Sequence, residues 1–346
     1  MTAQILLIGL LIYIGLLYSI SLLTSDTPNN LTFYTANKKA PWYIVAFGMV
    51  GATLSGLTFI SVPGWVASSQ LSYIQMVLGY GIGYFFIATI LMPLYYKFNL
   101  ITIYSYLENR FGKYSYKTAT IFFLISRLTG TCLRLFLVLK VLHWVVLDKL
   151  GFPFGLSAAI ALICIWIYTN KSGLKTIVYT DVLQTIFMLA SLGISLFVLY
   201  YALEINSQTW SVWWNDQPTT KIFFWKDWNS PQHFLKQFFS GILIAFAMTG
   251  LDQEMMQKNL SCKSLKDAQK NMFWFTIILI IVTILFLVLG VLLSSYAEYQ
   301  NINIIGDRLF PFIVTQSDLG GVISYVFIFG LIAAAFSSAD LSLIHI

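Results

Sequence analysis

Small and hydroxyl-bearing residues cluster in two apolar segments of this 346-residue chain. The first segment covers residues 51–64, and the second ends with Ser337 and Ser338. The hydroxyls of the first segment are Thr53, Ser55 and Thr58. Glycine lets a helix unwind, and the carbonyls released there, together with hydroxyl oxygens, are hard neutral ligands that suit Na⁺. Tight helix packing and hydroxyls that bond back to their own helix are the alternatives, and spacing alone leaves them open.

Three ionisable residues fall deep inside apolar runs. Arg127 and Arg134 are seven residues apart, so two helical turns place them on one face, about 10 Å apart along the axis. An arginine fork can hold a carboxylate through two hydrogen bonds, so at least one of them is predicted to be functional. A structural arginine paired with a carbonyl or an acid is the alternative. Asp181 is predicted to be an ion or proton site, or the partner of one of these arginines.

Other patterns carry less information or exclude a class of protein. The pair Gly79 and Gly83 predicts helix packing, and the run 250–254 is interpreted as a polar helix end at the cytoplasmic face. The three cysteines form no CxxC motif and no cluster with histidine, which argues against a zinc site or a disulfide framework. Without a His/Asp/Cys constellation near an interface, the sequence does not predict an enzyme.

The elements that position these residues are predicted to be membrane-spanning helices. The chain is 58% hydrophobic and 10% charged, with a mean hydropathy of +0.78, so lipid is the solvent for much of it. Apolar stretches of about 20 residues cross a bilayer. The nine predicted spans are 3–24, 43–67, 72–96, 117–146, 154–169, 176–204, 235–256, 272–295 and 320–340.

The distribution of basic residues predicts the orientation of the chain. Twelve lie in the loops after spans one, three, five and seven, against five on the opposite side. The twelve are Lys38, Lys39, Lys97, Arg110, Lys113, Lys117, Lys171, Lys175, Lys258, Lys263, Lys266 and Lys270. Since basic loops stay in the cytoplasm, the N-terminus is predicted to be outside.

The last six residues have an unusual sequence. Residues 341–346 can be encoded by the mosaic-end adapter of transposase-based sequencing libraries. We therefore interpret residues 1–340 as a transmembrane core of nine helices and residues 341–346 as a non-native tail, a hypothesis that an intact gene with these codons in its native context would contradict. A natural short C-terminus is the alternative.

Five segments together carry a resemblance to a known family. They are residues 51–64 with Val62-Pro63-Gly64, residues 104–112, residues 173–184, residues 250–253 and residues 334–338. In this order the chain resembles the sodium:solute symporter family, which includes bacterial proline, galactose and sialic acid symporters. The resemblance implies an all-α polytopic membrane protein with an inverted repeat of five plus five helices, one extra N-terminal helix and, in this chain, an incomplete second repeat.

The resemblance also implies the site residues. The sodium ligands would be the carbonyls of Gly51, Leu54 and Ala334 and the hydroxyls of Ser337 and Ser338. Asp181 aligns with an aspartate that serves a second sodium ion in some members, but further hydroxyl positions of that site hold Asp340 and the suspect tail here. The substrate residues would be Thr53, Ser55, Thr58 and Arg134, as in the sialic acid branch, with Arg127 either structural or substrate-binding.

The predicted function is sodium-coupled uptake of a small carboxylate-bearing solute, such as sialic acid, by alternating access in the inner (plasma) membrane. The expected partners are the solute, Na⁺ and the lipid bilayer, with no nucleic acid and no obligatory protein partner. A symporter for proline or a sugar is the first alternative. A channel or a transport-derived sensor is a further one, although a channel would favour repeated filter sequences or rings of charge.

Overall fold

The computed structural model describes residues 3–24, 36–100, 102–148, 151–169, 173–205, 210–317, 319 and 321–345. These residues form helices and connecting loops without a β-strand. The helices are α1 (Ala3–Thr24), α2 (Trp42–Thr53), α3 (Gly56–Ser69), α4 (Tyr73–Lys97), α5 (Ile103–Phe111), α6 (Lys113–Leu142), α7 (Phe154–Thr169), α8 (Leu174–Ala202), α9 (Trp210–Asp216), α10 (Phe234–Gly250), α11 (Gln253–Leu260), α12 (Leu265–Tyr299), α13 (Leu309–Gln316) and α14 (Val322–His345).

Each predicted span corresponds to a helix or to a bent pair of helices within the described ranges. Four single helices are long and apolar enough to cross a membrane, namely α4, α6, α8 and α12. Two bent pairs, α2 with α3 and α10 with α11, qualify when each pair is counted as one span. The remaining three spans match the shorter apolar helices Ile8–Thr24, Phe154–Thr169 and Val322–Ser337. The all-helical fold is therefore confirmed, and the tail interpretation of residues 341–346 stays a prediction.

The break between α2 and α3 lies inside the glycine-rich segment for which a broken helix was one of the two interpretations. The two helices meet at 61°, and Leu54 and Ser55 between them leave the helical conformation. The amide of Ser55 donates to the carbonyl of Thr53 at 3.0 Å instead of to that of Gly51. The Gly51 carbonyl thus loses the partner that a continuous helix would give it.

A second break separates α10 from α11 and was not predicted. The last turn of α10 is a π-turn over Phe246–Gly250, and α11 leaves it at 66°. Asp252 caps α11 by accepting the amide proton of Met255 at 3.1 Å. A helix does end at Gly250, but the interpretation of residues 250–254 as only a polar helix end needs correction, because a new, buried helix starts at Gln253; its position at the cytoplasmic face stays a prediction.

The helix α11 also corrects one residue of the loop count. Lys258 was assigned to a cytoplasmic loop, but its side chain is only 2% exposed, since the helix that carries it packs within the protein. Eleven basic residues then remain on the predicted inner side against five on the other. The excess of basic residues still lies on the predicted inner side, and the orientation stays a prediction.

The two breaks occur in spans two and seven, five spans apart. The inverted repeat implied by the resemblance makes these two spans equivalent, and interrupted helices in corresponding positions are typical of transporters built from repeats. The repeat itself, and the completeness of its second half, stay predictions.

Close helix contacts bring these elements together. Helix α8 packs against α14 and α2, α12 packs against α2 and α3, and α4 packs against α10. The predicted packing role of the Gly79 and Gly83 pair is confirmed, because a methyl group at Gly83 would lie 2.6 Å from Cβ of Ala245 in α10. The core that results surrounds the first break with α8, α12 and α14.

Candidate functional site

A fully buried carboxylate lies where α8, α11 and α14 meet. Asp181 of α8 is 1% exposed. Its Oδ2 accepts a hydrogen bond from Nζ of Lys258 at 2.6 Å, and its Oδ1 accepts one from the hydroxyl of Ser337 at 2.5 Å. The carboxylate of Asp181 on α8 is therefore bonded to an ammonium group on α11 and to a hydroxyl on α14.

Two glycines of α2 allow that helix to reach the same place. A methyl group at Gly48 would lie 3.0 Å from Cβ of Asp181, and one at Gly51 would collide with the hydroxyl oxygen of Thr185. Thr185 in turn donates to the carbonyl of Asp181 at 2.7 Å. The small residues that suggested a broken helix are thus also the residues that bring α2 against α8.

The predicted sodium ligands lie on two facing elements. Gly51 lies in the last turn of α2, Leu54 lies in the break after it, and Ala334 and Ser337 lie on α14; all four are buried. A methyl group at Gly56, just past the break, would be 3.5 Å from the backbone nitrogen of Ala335. This contact sets the break directly against the turn of α14 that carries the serines. The side chain of Ser338 lies outside the described part of the structure.

The chemistry of these groups suits a sodium ion. The Gly51 carbonyl has no α-helical partner, and the proton of Ser337 is committed to Asp181, so the lone pairs of the Ser337 oxygen face elsewhere. Buried carbonyl and hydroxyl oxygens need a partner, and a hard monovalent cation provides one. The residues that the structure describes at this joint are therefore compatible with Na⁺.

Three of the predicted substrate residues, Thr53, Ser55 and Thr58, lie at the first break or next to it, and the fourth, Arg134, lies on α6. The hydroxyls of Ser55 and Thr58 are 3.4 Å apart, and that of Thr53 is 3.9 Å from the sulfur of Met255 in α11. Arg134 is partly buried on α6, and its Nε donates to the carbonyl of Gly130 at 3.1 Å. Its guanidinium makes no ion pair with any carboxylate in the described ranges.

The contact between α6 and the first break lies one helical turn from Arg134. A methyl group at Gly56 would collide with Val138, one turn beyond Arg134 on α6. Arg134 is therefore one helical turn from the residue that contacts the break, and its guanidinium lies beside Gly130, on the side away from Val138.

Arg127 belongs to a different cluster. Its Nη1 donates to Oε2 of Glu254 at 2.8 Å, and its Nη2 pairs with Oδ2 of Asp252. Its guanidinium also lies over the ring of Phe123, 5.7 Å from the centroid. Of the two interpretations of Arg127, this geometry favours the structural one, since two carboxylates already engage its fork.

The pairing of Asp181 with an arginine is wrong. Both arginines lie on α6, whereas the cation that reaches Asp181 is Lys258 on α11. Three charged residues of the site, Asp252, Glu254 and Lys258, were thus missed. The signals that could have found them are an N-cap aspartate after Gly250 and the spacing of four between Glu254 and Lys258, which places both on one helical face.

Comparison with known sequences gives one matching family and several relatives. The profile of the sodium:solute symporter family matches residues 33–345. The sodium/sialic acid symporter SiaT of Proteus mirabilis is 25% identical over 329 residues, which cover 90% of this chain and 63% of the relative. The human sodium/iodide cotransporter is 23% identical over 237 residues, covering 68% of this chain and 36% of the relative.

A further relative and a solved structure agree with these matches. The sodium-coupled monocarboxylate transporter 2 of Danio rerio is 25% identical over 281 residues, 79% of this chain and 44% of the relative. The solved structure is a substrate-bound, outward-open Na⁺-coupled sialic acid symporter, with a TM-score of 0.83 and 19% identity over 99% of this chain and 71% of that chain. The chain thus shares this fold and spans less than two thirds of the length of the three relatives.

Proposed function

Because the chain belongs to the sodium:solute symporter family, we propose that it carries the core of a transporter that uses a sodium gradient to take up a small carboxylate-bearing solute. Members of this family are multi-pass membrane proteins, and the apolar helices of this chain agree with that. We place it in the inner (plasma) membrane with its N-terminus outside, on the basis of the distribution of Lys and Arg.

The observation that carries the proposal is the joint between the first break and α14. The carbonyls of Gly51, Leu54 and Ala334 and the hydroxyls of Ser337 and Ser338 are proposed to hold one sodium ion there. Two features support this assignment: the release of the Gly51 carbonyl and the hydrogen bond that fixes the Ser337 hydroxyl on Asp181.

Sodium at this joint would couple to transport by holding two separate elements together. The ligands come from the break after α2 and from α14, so a bound ion favours the arrangement in which these elements touch. A differential of about 1–3 kcal/mol between two conformations is typical of such linkage. The solute would bind beside the α2–α3 break while sodium holds the break against α14. Rearrangement of the helices around the solute would then open the site to the other side of the membrane.

The solute is proposed to be an anion that Arg134 recognises. Arg134 has no carboxylate partner among the described residues, whereas Arg127 has two. The hydroxyls of Thr53, Ser55 and Thr58 would bind other polar groups of the solute. The relatives support an anion, since their names refer to sialic acid, iodide and monocarboxylates. A carboxylated sugar such as sialic acid is the first candidate.

The role proposed for Arg127 is to tie α6 to the second break. Its two carboxylate partners flank the start of α11, so the cluster fixes the direction in which α11 leaves α10. With the predicted orientation, this cluster lies between Arg134 and the cytoplasm.

Uptake by the purified protein in proteoliposomes tests the proposal. An inward sodium gradient should drive accumulation of labelled sialic acid above its equilibrium level, and an equal potassium gradient should not. Accumulation of proline or a neutral sugar instead would keep the symporter and overturn the choice of solute. Equilibration without accumulation would contradict sodium coupling.

A further inference from the structure

Asp181 aligns with an aspartate that serves a second sodium ion in some members of the family. In this chain the carboxylate already has a cation beside it. Lys258 and Asp181 are 2% and 1% exposed, and the ammonium nitrogen lies 2.6 Å from Oδ2. A buried lysine is stable only with a partner, and removing one member of such a pair leaves an uncompensated charge. The ammonium group of Lys258 therefore belongs to the folded core at this position.

The other oxygen of Asp181 is occupied as well. Oδ1 accepts the only proton of the Ser337 hydroxyl at 2.5 Å. A sodium ion that bound directly to Asp181 would have to displace the ammonium group from one oxygen or the hydroxyl proton from the other. An ion on the far side of Ser337 displaces neither group, because the lone pairs of that oxygen point away from Asp181.

A second carboxylate lies on the helix that carries Ser337. Asp340 is buried three residues after Ser337 on α14 and accepts a hydrogen bond from the hydroxyl of Tyr168 at 3.5 Å. The negative charge of Asp340 attracts the ammonium group of Lys258, which favours the retention of this group beside Asp181.

We propose that Lys258 is a built-in cation that takes the place of a second sodium ion at Asp181, so that one sodium ion is bound per protein. Lys258 is then a positioning residue, since it acts on the sodium ligand Ser337 through Asp181. This inference rests on the proposed sodium-coupled function and adds to it the number of ions.

Equilibrium binding of ²²Na⁺ to the purified protein, with the Hill coefficient for sodium in uptake, tests this proposal. The wild type should bind one ion with a Hill coefficient near 1, and Lys258→Arg should keep both values because it keeps the charge. In Lys258→Gln the ammonium group no longer occupies Oδ2 of Asp181. This variant should bind a second ion there, and its Hill coefficient should rise toward 2. The double variant Asp181→Asn/Lys258→Gln lacks both charges and should return to one ion.

Controls keep the test decisive. Lys263→Gln removes a charge from an exposed lysine five residues further on and should bind one ion. Two ions in the wild type, or a single ion in Lys258→Gln, would overturn the inference. If Lys258→Gln does not fold, Lys258→Met, which keeps the length of the side chain without its charge, takes its place in the comparison with the same expected count of two. A wild type that binds no sodium contradicts the proposed function, whereas a wild type that binds two contradicts only the role of Lys258.

Discussion

Ser337 donates its hydroxyl proton to Oδ1 of Asp181 at 2.5 Å, which joins α14 to α8 within the core. The bond couples two residues that are 156 positions apart in the sequence. It matters for function because a serine whose proton is committed presents only lone pairs to its other neighbours. The sodium site proposed at the α2–α3 break therefore depends on an aspartate that need not touch the ion.

Replacing Ser337 by alanine should weaken the response to sodium. The change removes one proposed ligand and leaves Oδ1 of Asp181 without its donor, and a hydrogen bond to a charged group contributes about 1.5–3 kcal/mol. The sodium concentration for half-maximal uptake should rise about tenfold or more. Ser294→Ala removes a hydroxyl that bonds only back to Gly290 of its own helix, and it should leave the value unchanged. An unaltered sodium dependence in Ser337→Ala would place the site elsewhere.

Replacing Arg134 by alanine should abolish uptake of an anionic solute. The guanidinium is proposed to hold the carboxylate through two hydrogen bonds, which lysine cannot reproduce with the same geometry. Arg134→Lys should therefore retain only weak uptake, with a higher KM. Sialic acid uptake at the wild-type rate in Arg134→Ala would contradict the proposed binding of the carboxylate by Arg134.

Replacing Arg127 by alanine should destabilise the fold rather than remove a solute contact. Asp252 and Glu254 would lose their shared cation while buried, and breaking a buried ion pair costs about 3–5 kcal/mol. The melting temperature in detergent should fall, and Arg127→Ala/Asp252→Asn/Glu254→Gln should recover most of the loss. A control, Arg110→Ala, removes an exposed arginine. Equal stability of Arg127→Ala and Arg110→Ala would show that the cluster does not hold α11.

Replacing Gly51 by alanine should impair sodium binding through packing alone. The added methyl group would collide with the Thr185 hydroxyl, and overpacking of this kind costs about 1–3 kcal/mol. Because α2 must then move away from α8, the carbonyls at the break shift and sodium affinity should fall. Gly193→Ala is the matched control, since a methyl group at this helical glycine meets nothing within 4 Å. Similar sodium affinity in the two variants would contradict the close approach of α2 to α8.

The features of the fold that depend on local sequence were predictable. Apolar length identified the spans, because lipid requires about 20 apolar residues for each helix. The glycines and hydroxyls of residues 51–64 indicated the first break, because backbone freedom at Gly51 and Gly56 is visible in the residue types themselves.

The second break and its charges were not predictable in the same way. Helix α11 is short and polar, so the span predicted from hydropathy ends within it at residue 256, although Glu254 and Lys258 are buried. Their burial is possible only because Arg127 and Asp181 neutralise them, and these partners lie 127 and 77 residues away. Such long-range pairing leaves no periodic signal in one sequence, which is why an arginine, and not Lys258, was considered as a partner of Asp181.

The most direct test of sodium coupling is the reverse experiment, in which the solute drives the ion. Linkage between two ligands is reciprocal, so a solute that sodium favours must also favour sodium. In proteoliposomes with equal sodium on both sides, an inward gradient of sialic acid should drive net ²²Na⁺ entry, and Ser337→Ala should reduce it. Sodium entry that is the same with and without solute would contradict the symporter and indicate a channel.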